Sequence, residues 1–460
     1  MRMSRAFEAL SQRLPQALLR PPFSRAVWSL SLPLIFAEVS ETLIHVIGTV
    51  FLTRVGVVEV GAVALADTVF ELWAVLTLGL VDGLQILIAR RIGQGRDQAV
   101  GETFNQGLGL MVVVSVGLTA SLFWMAGPLS AFLVSSDEVA IAVQRFLRII
   151  AFAIVFNALS LAYSALFVGL GKTRVLIWAT LVLAVTNIAL DYALVFGHFG
   201  FPALGIEGAA IGSLGAEIAT CLFLTGYVIL RVDCARYGIF RFARWNGATI
   251  GLLARLSWPI ALEALLEGAR WLVFFLIIER ISPFALAESN LVYACFEVFL
   301  IPTGGFAETA CSMVSNWVGQ GRTRFGSLVR EVTAASYFIT LPMALLALLF
   351  PGAVLSLLDI EGALKGGGEA SLRVVSLAML IVIPAEMWAA AVIGTGDTFA
   401  SFWIEAALTV VMIGGAWLAG SVLHLPLYYV WMSVPIAWLS CWILSYLWMR
   451  SGQWAESAEI

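Results

Sequence analysis

The feature that most constrains this chain is a succession of apolar runs, each long enough to cross a bilayer, separated by short polar connections. A membrane-spanning helix needs about 20 predominantly apolar residues. The pattern places twelve such spans, at 28–53, 60–89, 103–126, 139–168, 175–196, 205–230, 252–278, 284–317, 328–350, 372–393, 398–420 and 426–449. With 61% of residues apolar and 12% charged, against roughly 25% charged in an average soluble domain, no soluble fold could hide this surface. The runs are continuously apolar rather than alternating, which excludes a transmembrane barrel. The longest polar connection, 232–251, is too short to be a domain, so a receptor ectodomain, a cytosolic ATPase module and a nucleic-acid-binding domain are excluded. The expected fold is an all-α polytopic membrane protein of twelve transmembrane helices, monomeric, with the lipid bilayer as its partner and no nucleic acid.

Basic residues favour cytoplasmic loops. Here they gather in the N-terminal segment, in the connections after spans 2, 4, 6 and 8, and at the C-terminus. Both termini are therefore expected in the cytoplasm, with the chain in the plasma (inner) membrane. Residues 1–25 carry Arg2, Arg5, Arg13, Arg20 and Arg25 among apolar residues, without the apolar core and cleavage site of a signal peptide. That segment reads as an amphipathic helix on the cytoplasmic face. The five cysteines, Cys221, Cys234, Cys295, Cys311 and Cys441, show no CxxC spacing and read as small apolar packing residues.

Comparison of the two halves reveals a duplication. Ala89-Arg-Arg-Ile-Gly-Gln-Gly-Arg96 after span 2 recurs as Asn316-Trp-Val-Gly-Gln-Gly-Arg322 after span 8, 226 residues on, and Pro33 meets Pro259 at the same offset. After span 4, Gly169-Leu-Gly-Lys-Thr173 meets Gly394-Thr-Gly-Asp-Thr398 at an offset of 225. The acids Glu41 and Glu267, Glu71 and Glu297, and Asp82 and Glu308 pair at 226 as well. Six spans per half is an even number, so the halves enter the membrane in the same sense. They are expected to be related by a pseudo-two-fold axis along the membrane normal. The organisation is an N-lobe at 26–231, a cytoplasmic linker at 232–251, a C-lobe at 252–450 and a cytoplasmic tail at 451–460.

Carboxylates inside the spans are the chemical signal. A charge at the bilayer centre costs about 2.5–3.5 kcal/mol on insertion scales, so such groups should face a water-filled cavity or a partner. Burial disfavours the ionised form, which lets them take up protons. In span 1, Glu38, Glu41, His45 and Gly48 stack on one helix face at spacings of three, four and three. Two carboxylates and an imidazole so close can share protons, or simply form a polar stripe that bonds neighbouring helices. Span 7 carries Glu263, Glu267 and Arg270. Either Glu267 and Arg270 form a structural ion pair, or Glu263 or Glu267 faces a cavity as a cation or substrate site. In span 5, Asn187 and Asp191 stand one turn apart; they could hold a proton, form part of a sodium site, or bond helix to helix. No metal site with paired-His or HExxH spacing occurs, and no cofactor is expected beyond a coupling ion, H+ or Na+.

Glu71, Glu297 and Glu386 are further candidates for cavity or substrate contact, as is Trp271, which lies well inside a span with Trp73 and Trp388. Prolines punctuate several spans, and Pro302-Thr-Gly-Gly305 is expected to interrupt span 8. Kinks at such points either hinge or merely pack.

These residues resemble the multidrug and toxin extrusion family over about residues 25–450. The likeness rests on Ser31-Leu-Pro-Leu34, the Gly-Gln-Gly-Arg turns, Gly169-Leu-Gly-Lys-Thr-Arg174, Leu204-Gly-Ile-Glu-Gly-Ala-Ala-Ile211 and Gly394-Thr-Gly-Asp-Thr398. The resemblance implies a V-shaped carrier of two six-helix lobes that exports organic, often cationic compounds in exchange for protons or sodium. It implies cation coupling at Asn187 and Asp191, and an acidic position at Glu267 that one branch of the family uses for sodium. The family's late span 1 aspartate falls on Gly48, with Glu41 and His45 on the same face. Its span 10 acid falls on Val382, with Glu386 one turn further, and the arginine usual before the Gly-x-Gly-Asp motif is Ile393. The chain thus reads as a divergent branch.

Three rivals compete with a secondary active antiporter for small organic compounds. A lipid or lipid-linked sugar flippase of related two-lobe plan would favour a cavity rich in Arg and Lys. A membrane-embedded enzyme would need a nucleophile, metal site or acidic cluster at a helix end, and HExxH, GxSxG and aspartate-rich motifs are all missing. A channel fits poorly with a two-half repeat.

Overall fold

The computed structural model describes residues 25–53, 56–134, 136–242, 245–358 and 368–457. The expected amphipathic segment over 1–25 lies, apart from Arg25, outside the described residues. Among those described, ten helices are long and apolar enough to cross a membrane, and the bent pair Asp137–Ile150 with Ala153–Gly169 makes eleven. Gly247–Glu279, with Glu263, Glu267 and Arg270 near its middle, takes the seventh place and completes the twelve read from the sequence.

In the N-lobe, span 1 is Arg25–Thr53, span 2 Val57–Gly93, span 3 Asp97–Leu133, span 4 the bent pair, span 5 Arg174–Phe196 and span 6 Ile206–Arg231. In the C-lobe, span 7 is Gly247–Glu279, span 8 Pro283–Gly319, span 9 Gly326–Leu349 and span 10 Glu369–Gly394. Span 11, Thr398–Trp417, ends in a π-helical turn, Leu418–Val422, and span 12 is Leu427–Trp431 continued by Ser433–Ser451.

The duplication is visible in the helices themselves. Spans 2 and 8 are each 37 residues long and start and stop 226 residues apart. The repeated motifs turn out to be helix terminators. Gln94 and Gln320 are the C-caps, and Gly95 and Gly321 follow at φ of 69° and 74°. That left-handed region ends a helix and suits glycine alone without strain.

Spans 2 and 8 meet at these ends. A Cβ on Gly93 would run into the backbone of Asn316, and one on Gly319 into that of Arg90, so the two glycines admit backbone-to-backbone approach. The crossing is sealed by side chains that donate to carbonyls of the opposite lobe. Asn316 Nδ2 reaches Ala89 O at 3.1 Å, Ser315 Oγ reaches Ile86 O at 2.7 Å and Ser312 Oγ reaches Val168 O at 3.2 Å. Arg90, the counterpart of Asn316, is buried and donates Nη2 to the carbonyls of Gly394 at 3.3 Å and Thr395 at 2.5 Å. Ser31 bonds Thr309 at 2.8 Å, and Trp28 stands edge-on to Phe306. These cross-lobe contacts gather toward the end that carries the Gly-Gln-Gly turns, and Leu43, Val46, Leu72 and Leu76 of spans 1 and 2, further from it, are exposed. The result is a V that is closed where the Gly-Gln-Gly turns lie.

One backbone expectation needs correction. Span 8 runs unbroken through Pro302. Thr303 Oγ1 donates to Phe299 O at 3.2 Å, and Gly305 lies against Ile35 of span 1, so the Pro-Thr-Gly-Gly run thins the helix for a neighbour rather than breaking it. The bend falls instead in span 4, 44° at Ala151–Phe152. There Thr119 Oγ1 of span 3 donates to the carbonyl of Ala151 at 2.9 Å, an insertion into the helix ladder of the kind that kinks helices. Arg145 and Arg148 are exposed on its first segment; Arg145 pairs with Glu207 at 3.3 Å and Arg148 lies over the Phe123 ring.

The connection between spans 6 and 7 ends at Asn246, which accepts from Ala248 N and caps span 7. It is also strapped to span 3. Asn105 Nδ2 donates to the carbonyls of Gly238 and Arg241, its Oδ1 accepts from Phe240 N, and Arg236 pairs with Asp97 at 2.7 Å.

Candidate functional site

Each lobe holds carboxylates around a cavity. In the N-lobe a cavity of about 180 Å³ is lined by Glu41 and His45 of span 1, Asp67 and Glu71 of span 2, Asn187 of span 5 and Glu217 of span 6. A second, of about 110 Å³, shares Ile44, His45, Asp67 and Asn187 and adds Gly48 and Asp191. The helical spacing read from the sequence explains the convergence: i, i+4 residues share a face, and that face of span 1 turns toward spans 2, 5 and 6. Asn187 Nδ2 donates to Ser213 Oγ at 3.2 Å, and Asn157 Nδ2 donates to Glu217 Oε1 at 3.1 Å. Asp191 is 5% exposed, and its Oδ1 has no hydrogen-bond partner. Gly212 of span 6 leaves room for that carboxylate, since a Cβ there would collide with it.

At position 48 the resemblance placed an acid, and this chain has glycine. A Cβ on Gly48 would meet nothing within 4 Å, while Asp67 from span 2 lines both cavities beside it.

The C-lobe cavity, about 230 Å³, is lined by Glu263, Glu267 and Arg270 of span 7, Glu308 and Cys311 of span 8, Glu386 of span 10 and Glu405 of span 11. Asp82 joins it from span 2 of the other lobe, so the symmetry mates Asp82 and Glu308 both reach this space. Ser401 Oγ donates to Glu263 Oε1 at 3.2 Å. Arg270 is 1% exposed; it donates Nη2 to Glu267 Oε1 at 3.3 Å and forms an ion pair with Glu405 across spans 7 and 11. Val382 is buried, and Glu386, one turn on, supplies the span 10 acid. Glu38 of span 1 and Glu297 of span 8 are both exposed.

Of the residues singled out from sequence, Glu41, His45, Glu71, Asn187 and Asp191 come together in the N-lobe, and Glu263, Glu267 and Glu386 in the C-lobe. Trp271 lines none of these cavities. It is buried among Phe274, Tyr293, Phe296 and Trp431, because its side of span 7 packs into the core of the C-lobe. Sequence reasoning passed over Asp67 and Asn157, while Glu217 and Glu405 are among the carboxylates inside the spans that were expected to face a cavity or a partner. Asp67 did carry a signal, standing one turn before Glu71.

Such a duplicated pair of membrane-helix lobes, closed at one end over acid-lined cavities, defines a two-lobed polytopic membrane protein. The MatE family model matches residues 33–193 and again 259–418, once in each lobe, and the chain belongs to that family. A probable multidrug resistance protein NorM of Rhizobium meliloti (strain 1021) is 30% identical over 286 residues, 62% of this chain and 61% of that protein. Another, of Agrobacterium fabrum, is 26% identical over 309 residues, 66% of this chain and 65% of that protein. The matched stretch thus spans less than two thirds of either relative's length. Among solved structures, a MATE in complex with MaL6 superposes with a TM-score of 0.86 at 20% identity, covering 95% of this chain and 97% of that one. The outward-facing conformation of a multidrug resistance MATE family transporter of the MOP superfamily gives 0.86 at 19%, covering 95% and 96%. These likenesses concern the fold.

Proposed function

We propose that the chain is a secondary active antiporter that exports organic compounds, cationic or neutral and amphipathic, in exchange for protons or sodium. Membership of the MatE family and the probable multidrug resistance relatives support the reading. The observation that carries it is the pairing of a V closed at one end with acid-lined cavities in both lobes. Basic residues mark the closed end as cytoplasmic, so the V opens outward and both termini lie inside, in the plasma membrane. Cargo binds between the lobes near Glu38, Glu297, Asp82 and Glu308. Cations entering from outside occupy Glu41, His45, Asp67, Asn187 and Asp191, release the cargo and reset the carrier.

The driving force is adequate. One charge crossing 100 mV yields about 2.3 kcal/mol, and each tenfold gradient costs about 1.4 kcal/mol, so one proton sustains about a forty-fold gradient of a neutral cargo. For a monovalent cation exchanged one for one the cycle is electroneutral, and each pH unit sustains about a tenfold gradient. A flippase for pyrophosphate-linked lipids fits the cavities poorly, since their one lysine or arginine, Arg270, is buried against carboxylates.

The test is transport of a fluorescent organic cation in proteoliposomes under separately imposed pH and sodium gradients. Uptake driven by one gradient and collapsed by the matching ionophore is the expected result. Movement of the probe without any gradient requirement would contradict antiport.

A further inference from the structure

The two lobes carry related acidic clusters, but one of them already contains a cation. Glu41 and Glu267 are counterparts at the 226-residue offset, and each lines the cavity of its own lobe. Three residues after Glu267 stands Arg270; three after Glu41 stands Ile44, which lines both N-lobe cavities. Arg270's partner Glu405 has no acidic counterpart either, because at the offset of 225 that applies after span 4 it answers to Thr180. Arginine and its carboxylate are thus present together in the C-lobe and absent together from the N-lobe.

Chemistry makes this difference consequential. A guanidinium keeps its proton in proteins and only donates. Arg270 is 1% exposed and cannot leave, and it engages one oxygen on each of Glu267 and Glu405, donors of the kind a hard metal ion also takes. A second positive charge on the same carboxylates would meet direct repulsion. Nor do the His, Cys, Asp and Glu side chains converge on metal-binding geometry anywhere among the described residues. Neither N-lobe cavity is lined by a lysine or arginine, and His45 is the basic side chain there.

We propose that Arg270 is a tethered cation that holds the place of a free metal ion in the C-lobe cluster, closing that cavity to sodium and leaving cation exchange to the N-lobe. The assignment to Arg270 stands on geometry; only its consequence for exchange rests on the antiport reading above.

The test reads ion binding, so it succeeds or fails independently of transport. Equilibrium binding of radiolabelled sodium is measured on the purified full chain in nanodiscs, at constant ionic strength with potassium. An Asp191→Asn background removes the N-lobe contribution. Arg270→Met in this background should raise sodium affinity at least tenfold, to one ion per chain, and Glu267→Gln should abolish the gain. Arg270→Met/Glu405→Gln removes the ion pair as a unit, guards against a folding defect from a lone buried carboxylate, and should show the same gain. Sodium binding in the Asp191→Asn chain that Glu267→Gln removes, with Arg270 in place, would overturn the proposal. So would failure of both Arg270 variants, folded and monodisperse, to gain binding.

Discussion

Arg90 of span 2 donates its Nη2 to the carbonyl of Thr395, at the end of span 10, across the lobe interface. The guanidinium joins the end of one lobe's second helix to the Gly-Thr-Gly-Asp turn of the other, at the closed tip of the V. Opening that tip has to break this bond. Arg90→Met should therefore favour the alternative state. Native Cys311, buried beside this seal, should react several-fold faster with an impermeant maleimide applied from the face of the Gly-Gln-Gly turns. An unchanged rate would mean that Arg90 is not part of the seal.

Glycines make a sharper contrast. Gly319→Ala would push a methyl group into the Arg90 backbone, whereas Gly48→Ala meets open space. Overpacking of this kind costs about 1–3 kcal/mol. Thermal denaturation in detergent should show a lowered midpoint for Gly319→Ala and none for Gly48→Ala.

The N-lobe cluster predicts two silent-looking but disabling changes. Asp191→Asn and Glu217→Gln keep volume and remove charge. Each should lower gradient-driven export at least tenfold with protein levels intact, and Asn157→Ala, which removes the donor to Glu217, should lower it less. Full activity in both charge variants would detach coupling from this lobe.

Much of this was legible because period and offset are properties of the chain alone. Twelve apolar runs fixed the helices to within a few residues, and the Gly-Gln-Gly repeat exposed the duplication. Why those motifs recur was not legible, since a left-handed φ at Gly95 and Gly321 is a property of the folded turn. Nor could the sequence say which face of a buried helix meets which neighbour. Trp271 and Glu267 are four residues apart, yet one sits in an aromatic core and the other on a cavity wall. Pro302 misled for a related reason: whether a proline breaks a helix depends on what packs beside it, here span 1 at Ile35. Asp67 and Asn157 joined a cavity wall only through contacts between helices.

The strap between linker and span 3 yields a stability prediction. Asn105 is buried and serves three backbone groups at once. Losing hydrogen bonds that leave buried partners unsatisfied costs about 1–3 kcal/mol. Asn105→Ala should release the linker and speed tryptic cleavage at Arg236 and Arg241 in the folded protein, with the helical core remaining intact by circular dichroism.

The central claim is that the two lobes alternate between a V open at one end and a V open at the other. Phe199, at the far end of the N-lobe, and Leu423, at that of the C-lobe, are both exposed, and cysteine replacements there can carry spin labels in a background whose native cysteines have been replaced. Pulsed electron–electron distance measurements in nanodiscs should show two populations. The shorter should grow with an organic cation bound and shrink when the coupling ion is raised. A single distance, unmoved by cargo, pH and sodium, would contradict alternating access in this protein.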